Sequence, residues 1–470
     1  MSASGACRTV ITRSVIILLA GIGPFLATLP AQAAPPGGPN PAVADASGDI
    51  SCPLEFDTAS PLTLAKAVDL ALCNNADVRV AWANIRVQAA ALGEARAADW
   101  PTLSVSVSEL NDRTGYPGAP IPATETTANT IFGSLDWRLF DFGGRAATRR
   151  AAASLLKAAV ASRDATIQKT LSAVVQAYFG ALTAKAAADD KAQDESLARA
   201  TLSSAQRRET QGEGAQSDTL QATTALERVS LEQNRAQGAY DKAVAVLIYS
   251  LGVTAGSAVQ LDNAVDVRTG TEQKDLTAWL TEAQQQHPAI LAAQAALQAA
   301  QDQVTSARSA GRPTVDFTAN YYQNGFPNQG LTSTSTRTAV FGVTVTVPLF
   351  DGFLTHYRVQ EAQADAKVKQ AELQDTEQST LMGVVQAYAD AQSSLRDLSV
   401  SEDLLKAAEA AFRSSQRRYI QGVAGIVELL STQAALADAQ DERTLCVAEW
   451  RSARLGLLAS AGELNRATLR

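Results

Sequence analysis

Residues 139–145 read Leu-Phe-Asp-Phe-Gly-Gly-Arg, and residues 349–355 read Leu-Phe-Asp-Gly-Phe-Leu-Thr. The shared Leu-Phe-Asp recurs at an offset of 210, and that offset continues down the chain. Val-Val-Gln-Ala-Tyr occupies 174–178 and 384–388, Gln-Arg-Arg 206–208 and 416–418, and Gln-Gly 211–212 and 421–422. Gly252 matches Gly462, so no insertion or deletion separates the copies from 139 to 252. Upstream, Trp100-Pro101 matches Arg312-Pro313 at an offset of 212. The length differences therefore fall within residues 102–138 and their partners. The chain is a tandem duplication, and its fold must be one half-unit used twice.

Each half is first a helix former. Proline is absent between Pro122 and Pro288 and after Pro348, and the stretches are rich in Ala, Leu and Gln, which favours helix. Ile167, Leu171, Val174, Tyr178 and Ala181 step by alternating fours and threes, as do Leu381, Val384, Tyr388, Ala391, Leu395 and Leu398. That is the heptad spacing of helices packed side by side as coiled coils. The pattern predicts long helices over about 141–211 and 352–421. A helix of about 71 residues is ~105 Å long at 1.5 Å per residue. A soluble bundle would carry the same heptads, but globular helices seldom exceed ~20 residues. Gly212 and Gly422 close the two helices, and a short turn then starts a return helix.

Between the helical parts lie alternating runs, predicted as strands at about 102–110, 129–140, 314–322 and 337–349. Leu103, Val105 and Val107 alternate with Ser104, Ser106 and Ser108; Val315, Phe317, Ala319 and Tyr321 alternate with Thr314, Asp316, Thr318 and Asn320. Each run has about the 9–11 residues of a tilted strand crossing an outer membrane, one face apolar and one polar. A half-buried strand in a soluble sandwich alternates in the same way. Beside helices of ~100 Å and an export signal, the membrane reading is the stronger. Open sheet edges cannot face lipid, so four strands per chain must be completed by other copies. Two chains give eight strands with a filled interior, and three give twelve, wide enough for a lumen.

Arg8 and Arg13, an apolar run over 15–29 and Ala31-Gln32-Ala33 form a secretory signal peptide over 1–33. Glycines and Pro24 disfavour the alternative, a membrane anchor. Residues 34–60 read as a flexible leader, 61–252 and 275–462 as the two repeats, 253–274 as a linker and 463–470 as a tail. Removing 1–33 takes out two basic residues and no acidic one, so the formal charge of −8 becomes −10. That balance argues against a nucleic-acid partner. Residue 34 is Ala, so the Cys of a lipid-anchored protein is missing. Of the three mature cysteines, Cys52 and Cys73 can pair in an exported chain, or all three, with Cys446, stay free.

With these features the chain resembles the TolC-like outer-membrane efflux proteins, from about 62 to 462. The marks are Val-Pro-Leu-Phe-Asp-Gly at 347–352, Gln-Ala-Tyr on the long helix, and Arg-Tyr-Ile-Gln-Gly at 418–422 before Glu-Leu-Leu at 428–430. The resemblance implies a mostly α protein with membrane β: a homotrimer whose 12-stranded outer-membrane β-barrel, four strands per protomer, continues as a 12-helix coiled-coil α-barrel in the periplasm. It implies a passive duct working with a periplasmic adaptor and an inner-membrane pump. Within the family the chain looks most like the exit ducts of type I secretion systems, where the pump is an ABC transporter and the cargo a protein toxin of the cyclolysin kind. The alternative is a duct for drugs or other small molecules; a periplasmic coiled-coil adaptor or scaffold belongs to a different class.

The resemblance also places a gate at the far helix tips. It pairs Tyr419 with Asp218, puts the first position of an acidic ring at Glu428 and the second at Ser431, and leaves Ala424 where some members carry a gating Arg. At the near ends, Asp141 and Asp351 suit helix starts, where a carboxylate can cap free N–H groups. Gly143, Gly144 and Gly352 are expected to let the chain swing from strand to helix. No catalytic, cofactor or metal constellation stands out. His287 and His356 lack ligand spacing, and Gly143-Gly144-Arg145 lacks the order of a phosphate loop. Both histidines read as structural.

Overall fold

The computed structural model describes residues 61–118, 120, 122–254, 259–262, 274–324 and 336–464. The expected signal peptide and leader, most of the linker and tail, and Cys52 lie outside them. Cys73 is disulfide-bonded, and Cys446 is free and buried. The first half contains α1 (Leu64–Asn74), α2 (Ala76–Ala97), β1 (Thr102–Thr114), β2 (Thr124–Phe140), α3 (Gly144–Thr210) and α4 (Gln216–Leu251). The second contains α5 (Leu276–Gln286), α6 (Pro288–Ser309), β3 (Thr314–Gln323), β4 (Arg337–Thr346), α7 (Leu354–Ile420) and α8 (Ile426–Ser460). The long helices α3 and α7 have 67 residues each, about 100 Å at 1.5 Å per residue.

The four strands form one antiparallel sheet in sequential order. Its register puts like with like. Leu103 faces Leu135, which faces Ala319, which faces Phe341. Along the same side run Val105, Trp137, Phe317, Val343 and Val345. This side is exposed: Leu103 is 75% and Phe341 77% accessible. The opposite side is polar and bonded across the strands. Ser104 meets Ser134 at 2.8 Å, Ser108 meets Thr130 at 2.7 Å, and Arg138 pairs with Asp316 at 2.8 Å. Phe132 and Tyr322 stack on that side and are its aromatic exception. No described helix is long and apolar enough to cross a membrane.

The first hairpin is longer than its alternation, reaching Thr114 and starting again at Thr124. Beyond Leu110 and Ala128 its residues are polar on both faces, and Asn111 donates to Glu125 at 3.0 Å. Backbone pairing continues there without an apolar face, where a period-two pattern has no signal. β4 stops at Thr346, short of 349, ahead of Pro348, which has no N–H to donate to a ladder.

The main core gathers around the middle of α3. Leu171, Val174, Val175, Tyr178 and Phe179 pack with Val68 and Leu70 of α1, Leu247 and Leu251 of α4, Leu261, and Leu455 of α8. The Tyr178 hydroxyl donates to Leu62 O at 3.0 Å and is buried. Burial pushes its pKa up to about 12, with the charge of Asp262 adding to the rise. Leu62 bridges Leu261, so the start of the first repeat is tied to the chain that follows it.

The duplication is visible in a matched pair of helix junctions. Asn75 ends α1 and caps α2, its side chain accepting from Asp77 N at 2.9 Å. At the position 212 later, His287 ends α5 and caps α6, Nδ1 accepting from Ala289 N at 3.3 Å. Gly252 and Gly462 pack on these junctions with φ of +70° and +80°. A Cβ on Gly252 would lie 2.7 Å from Asn74 backbone, and one on Gly462 3.1 Å from Pro288. Both the left-handed backbone and the close approach require glycine.

Two predictions follow from the register and the cap. Val343→Arg, on the apolar side, should cost about 2–4 kcal/mol in a bilayer and deplete the protein from outer-membrane fractions, whereas Thr344→Arg on the other side should leave its recovery unchanged. Burial holds the His287 pKa below its ordinary value. The unfolded chain then binds the extra proton as pH falls through ~6.5, so this group removes stability as pH falls and restores it as pH rises. His287→Asn keeps the cap without the titration; thermal melts at about pH 8 and about pH 5 should differ less for it than for the wild type.

Candidate functional site

Two places carry the residues singled out by the duplication: the strand-to-helix joints and the far helix tips. At the first joint Asp141 accepts from Arg145 N at 2.8 Å and from Gly143 N at 3.2 Å, and Arg145 Nε lies 3.2 Å from its carboxylate. Burial alone would raise the Asp141 pKa; these donors outweigh it and hold the group below its usual range. At the second joint Asp351 accepts from Thr355 N at 2.8 Å and from Thr355 Oγ1. Those two bonds, the hydroxyl first, lower its pKa. Both carboxylates cap their helix from three residues ahead of its first residue.

The turn between them is the same in both copies although its letters are permuted. Phe142 and Gly143 have φ of +51° and +88°; Gly352 and Phe353 both have +66°. Each joint is thus two consecutive left-handed residues, one Gly and one Phe in opposite order. The Phe is strained by roughly 1–2 kcal/mol there. Gly144 does not share the swinging role expected of it. It is the first residue of α3, with helical backbone, and a Cβ on it would collide with Ser309 Oγ at the end of α6. Gly144 is required because α6 comes close.

The far tips repeat each other bond for bond. Gly212 (φ +77°) and Gly422 (φ +74°) end the long helices. Glu213 N and Gly214 N both donate to Arg208 O, at 2.9 and 3.1 Å; Val423 N and Ala424 N both donate to Arg418 O, at 2.9 and 3.2 Å. The side chains then diverge. Arg418 Nη1 donates to Glu428 Oε1 at 2.7 Å, closing the α7–α8 hairpin on itself. Arg208, the same position one repeat earlier, crosses instead to the other hairpin. Its Nη1 donates to Tyr419 O at 2.6 Å, and its guanidinium lies 4.8 Å from the centre of the Tyr419 ring. Thr219 Oγ1 donating to Glu209 at 2.5 Å holds the first hairpin.

The expected Tyr419–Asp218 link is not a hydrogen bond in this protomer. Tyr419 is buried, with Arg208 against its ring, and Asp218 accepts from Ser217 Oγ at 3.4 Å. Burial raises the Tyr419 pKa, the Arg208 guanidinium opposes the rise, and Asp218 adds to it, so the two side chains are within electrostatic reach. Glu428, expected as a ring carboxylate, is paired with Arg418. Ala424 is buried. Arg208 was visible in the sequence only as half of a repeated Gln-Arg-Arg, and its different destination leaves no trace there. His356, the other histidine, meets Gln360 on its own helix at 3.1 Å. Among the described residues no His, Cys, Asp and Glu group could hold a metal ion.

The family model described as outer membrane efflux protein matches residues 67–253 and again 279–463. The chain belongs to the outer membrane efflux protein family. It is 37% identical over 418 residues to protein CyaE of Bordetella pertussis, covering 89% of this chain and 88% of that one. It is 24% identical to the alkaline protease secretion protein AprF of Pseudomonas aeruginosa, covering 72% of this chain and 70% of that one. The solved outer-membrane channel OprN has the same fold, with a TM-score of 0.76 over 88% of this chain and 96% of that one, at 18% identity. The efflux-family chain is therefore an outer-membrane protein reaching into the periplasm, a passive channel rather than an enzyme. Its exposed apolar sheet side faces lipid, and its helices extend below.

The joint yields a test. Gly144→Ala should destabilise this efflux-family protein by about 1–3 kcal/mol through overpacking, measured by thermal denaturation in detergent. Adding Ser309→Gly should recover most of the loss.

Proposed function

We propose that the protein is the exit duct of a type I secretion system, through which a protein toxin of the cyclolysin kind leaves the cell. Three copies form the duct, a periplasmic adaptor docks on it, and an inner-membrane ABC transporter supplies the energy. The observation that carries the duct is the sheet: one side apolar and exposed, the other polar and cross-bonded, with β1 and β4 unpaired at its edges. Unpaired backbone cannot face lipid, and three such sheets joined edge to edge make twelve strands around a lumen. The far tips are read as the gate, with Asp218, Tyr419 and Glu428 among its residues and Gly212 and Gly422 at its turns.

Support for secretion comes from the near full-length similarity to CyaE and from AprF, whose name is that of a protease secretion protein. The efflux family name favours a second reading, a duct for drugs or other small molecules. Co-expression with a matched ABC transporter, adaptor and toxin in a host lacking its own ducts separates the two. The toxin should appear in the medium only when this protein is present. Toxin retained in the cell, together with restored drug resistance, would establish the second reading instead.

A further inference from the structure

The two hairpins, α3–α4 and α7–α8, are joined along α3 and α8 by a series of side-chain links. Thr444 donates to Asp190 at 3.0 Å, Lys191 pairs with Asp441 at 2.6 Å, and Thr201 donates to Gln433 at 3.1 Å. The last of these links is buried. A groove of about 620 Å³ opens between α4 and α8, lined by Leu220 and Val229 on one side and Val427 and Leu430 on the other. Beyond Thr201 the side chain that reaches from one hairpin to the other by a hydrogen bond, among the described residues, is Arg208.

Its partner is well chosen for a cation. Tyr419 O belongs to the last turn of α7, where it accepts from Gly422 N at 3.0 Å, and the carbonyls there carry the negative end of the helix dipole. The Tyr419 ring adds a cation–π face at 4.8 Å. Arg208 Nη2 also reaches Glu213 O in its own turn at 3.5 Å. One guanidinium thus touches both tip turns. Arg418, the repeat equivalent, spends its charge on Glu428 within one hairpin.

We propose that Arg208 is the latch that holds the two hairpins together at their free ends and so sets the resting aperture of the duct. The proposal rests on the duct reading above. Arg208 is a positioning residue: it acts by holding Tyr419 and the end of α7, and a part-exposed link of this kind can be broken by a partner without unfolding the hairpins.

The test is single-channel conductance of the purified full-length protein in planar bilayers, with heat-modifiable trimer as the check of assembly. Arg208→Ala and the longer neutral Arg208→Gln should both conduct severalfold more than wild type. Arg208→Lys, which keeps the charge and loses the planar face, should fall between. A wild-type channel whose conductance is unchanged in Arg208→Gln overturns the latch alone. A wild-type protein that forms no channel overturns the duct, and the latch with it.

Discussion

Every backbone N–H and C=O placed in hydrocarbon must find a partner, and this protein brings four strands to meet that demand. Four are too few to close, and the sheet ends in two open edges, β1 and β4. A single copy is therefore not a finished membrane structure. Much else follows from that constraint. The strands are two-faced because one side meets lipid and the other water. The residues that would be glue in a soluble sheet, Leu103, Val105, Phe341 and Val343, are left bare. Helical mass lies outside the sheet because no core can form on either of its faces.

The joints show what it takes to couple such a sheet to helices of ~100 Å. A strand must hand over to a helix, across three residues in the first copy and seven in the second. Both copies do so with two left-handed residues in a row behind a capping Asp. Since one of the two is Phe in each copy, the backbone accepts strain to keep an aromatic at the rim. Phe140 and Phe142 pack edge to face, as do Phe350 and Phe353. The permuted order, Phe-Gly against Gly-Phe, shows that the turn tolerates either residue at either place but demands the turn itself.

The tips show the opposite lesson. There the backbones agree to within tenths of an ångström in their hydrogen bonds, yet Arg208 and Arg418 go to different partners. Duplication supplies identical scaffolds, and substitution around them makes the halves unequal. Opposite Arg418 stands the longer Glu428; at the matching place Asp218 is one methylene shorter, and Arg208 turns to Tyr419 instead. The first hairpin has polar Glu209 where the second has Tyr419. The aromatic face exists on one hairpin only, and it is the other hairpin's arginine that lies against it.

The duplication, the long helices, the alternating strands and the closing glycines were legible in the sequence, because each is periodic or depends on one residue's backbone freedom. Heptads mark a seam whatever it packs against, and a left-handed turn asks for glycine wherever it lies. The polar ends of the first hairpin were not legible, because backbone pairing needs no side-chain pattern. Neither was the need for Gly144, which depends on Ser309, 165 residues away. Asp218, Tyr419 and Glu428 were named from resemblance, and their actual partners were decided by how the two hairpins meet. By itself the sequence determined that one half-unit of strands and long helices occurs twice. Only the tertiary structure decided that Arg208 crosses between the copies, because that choice is made by distances between helices that no local pattern encodes.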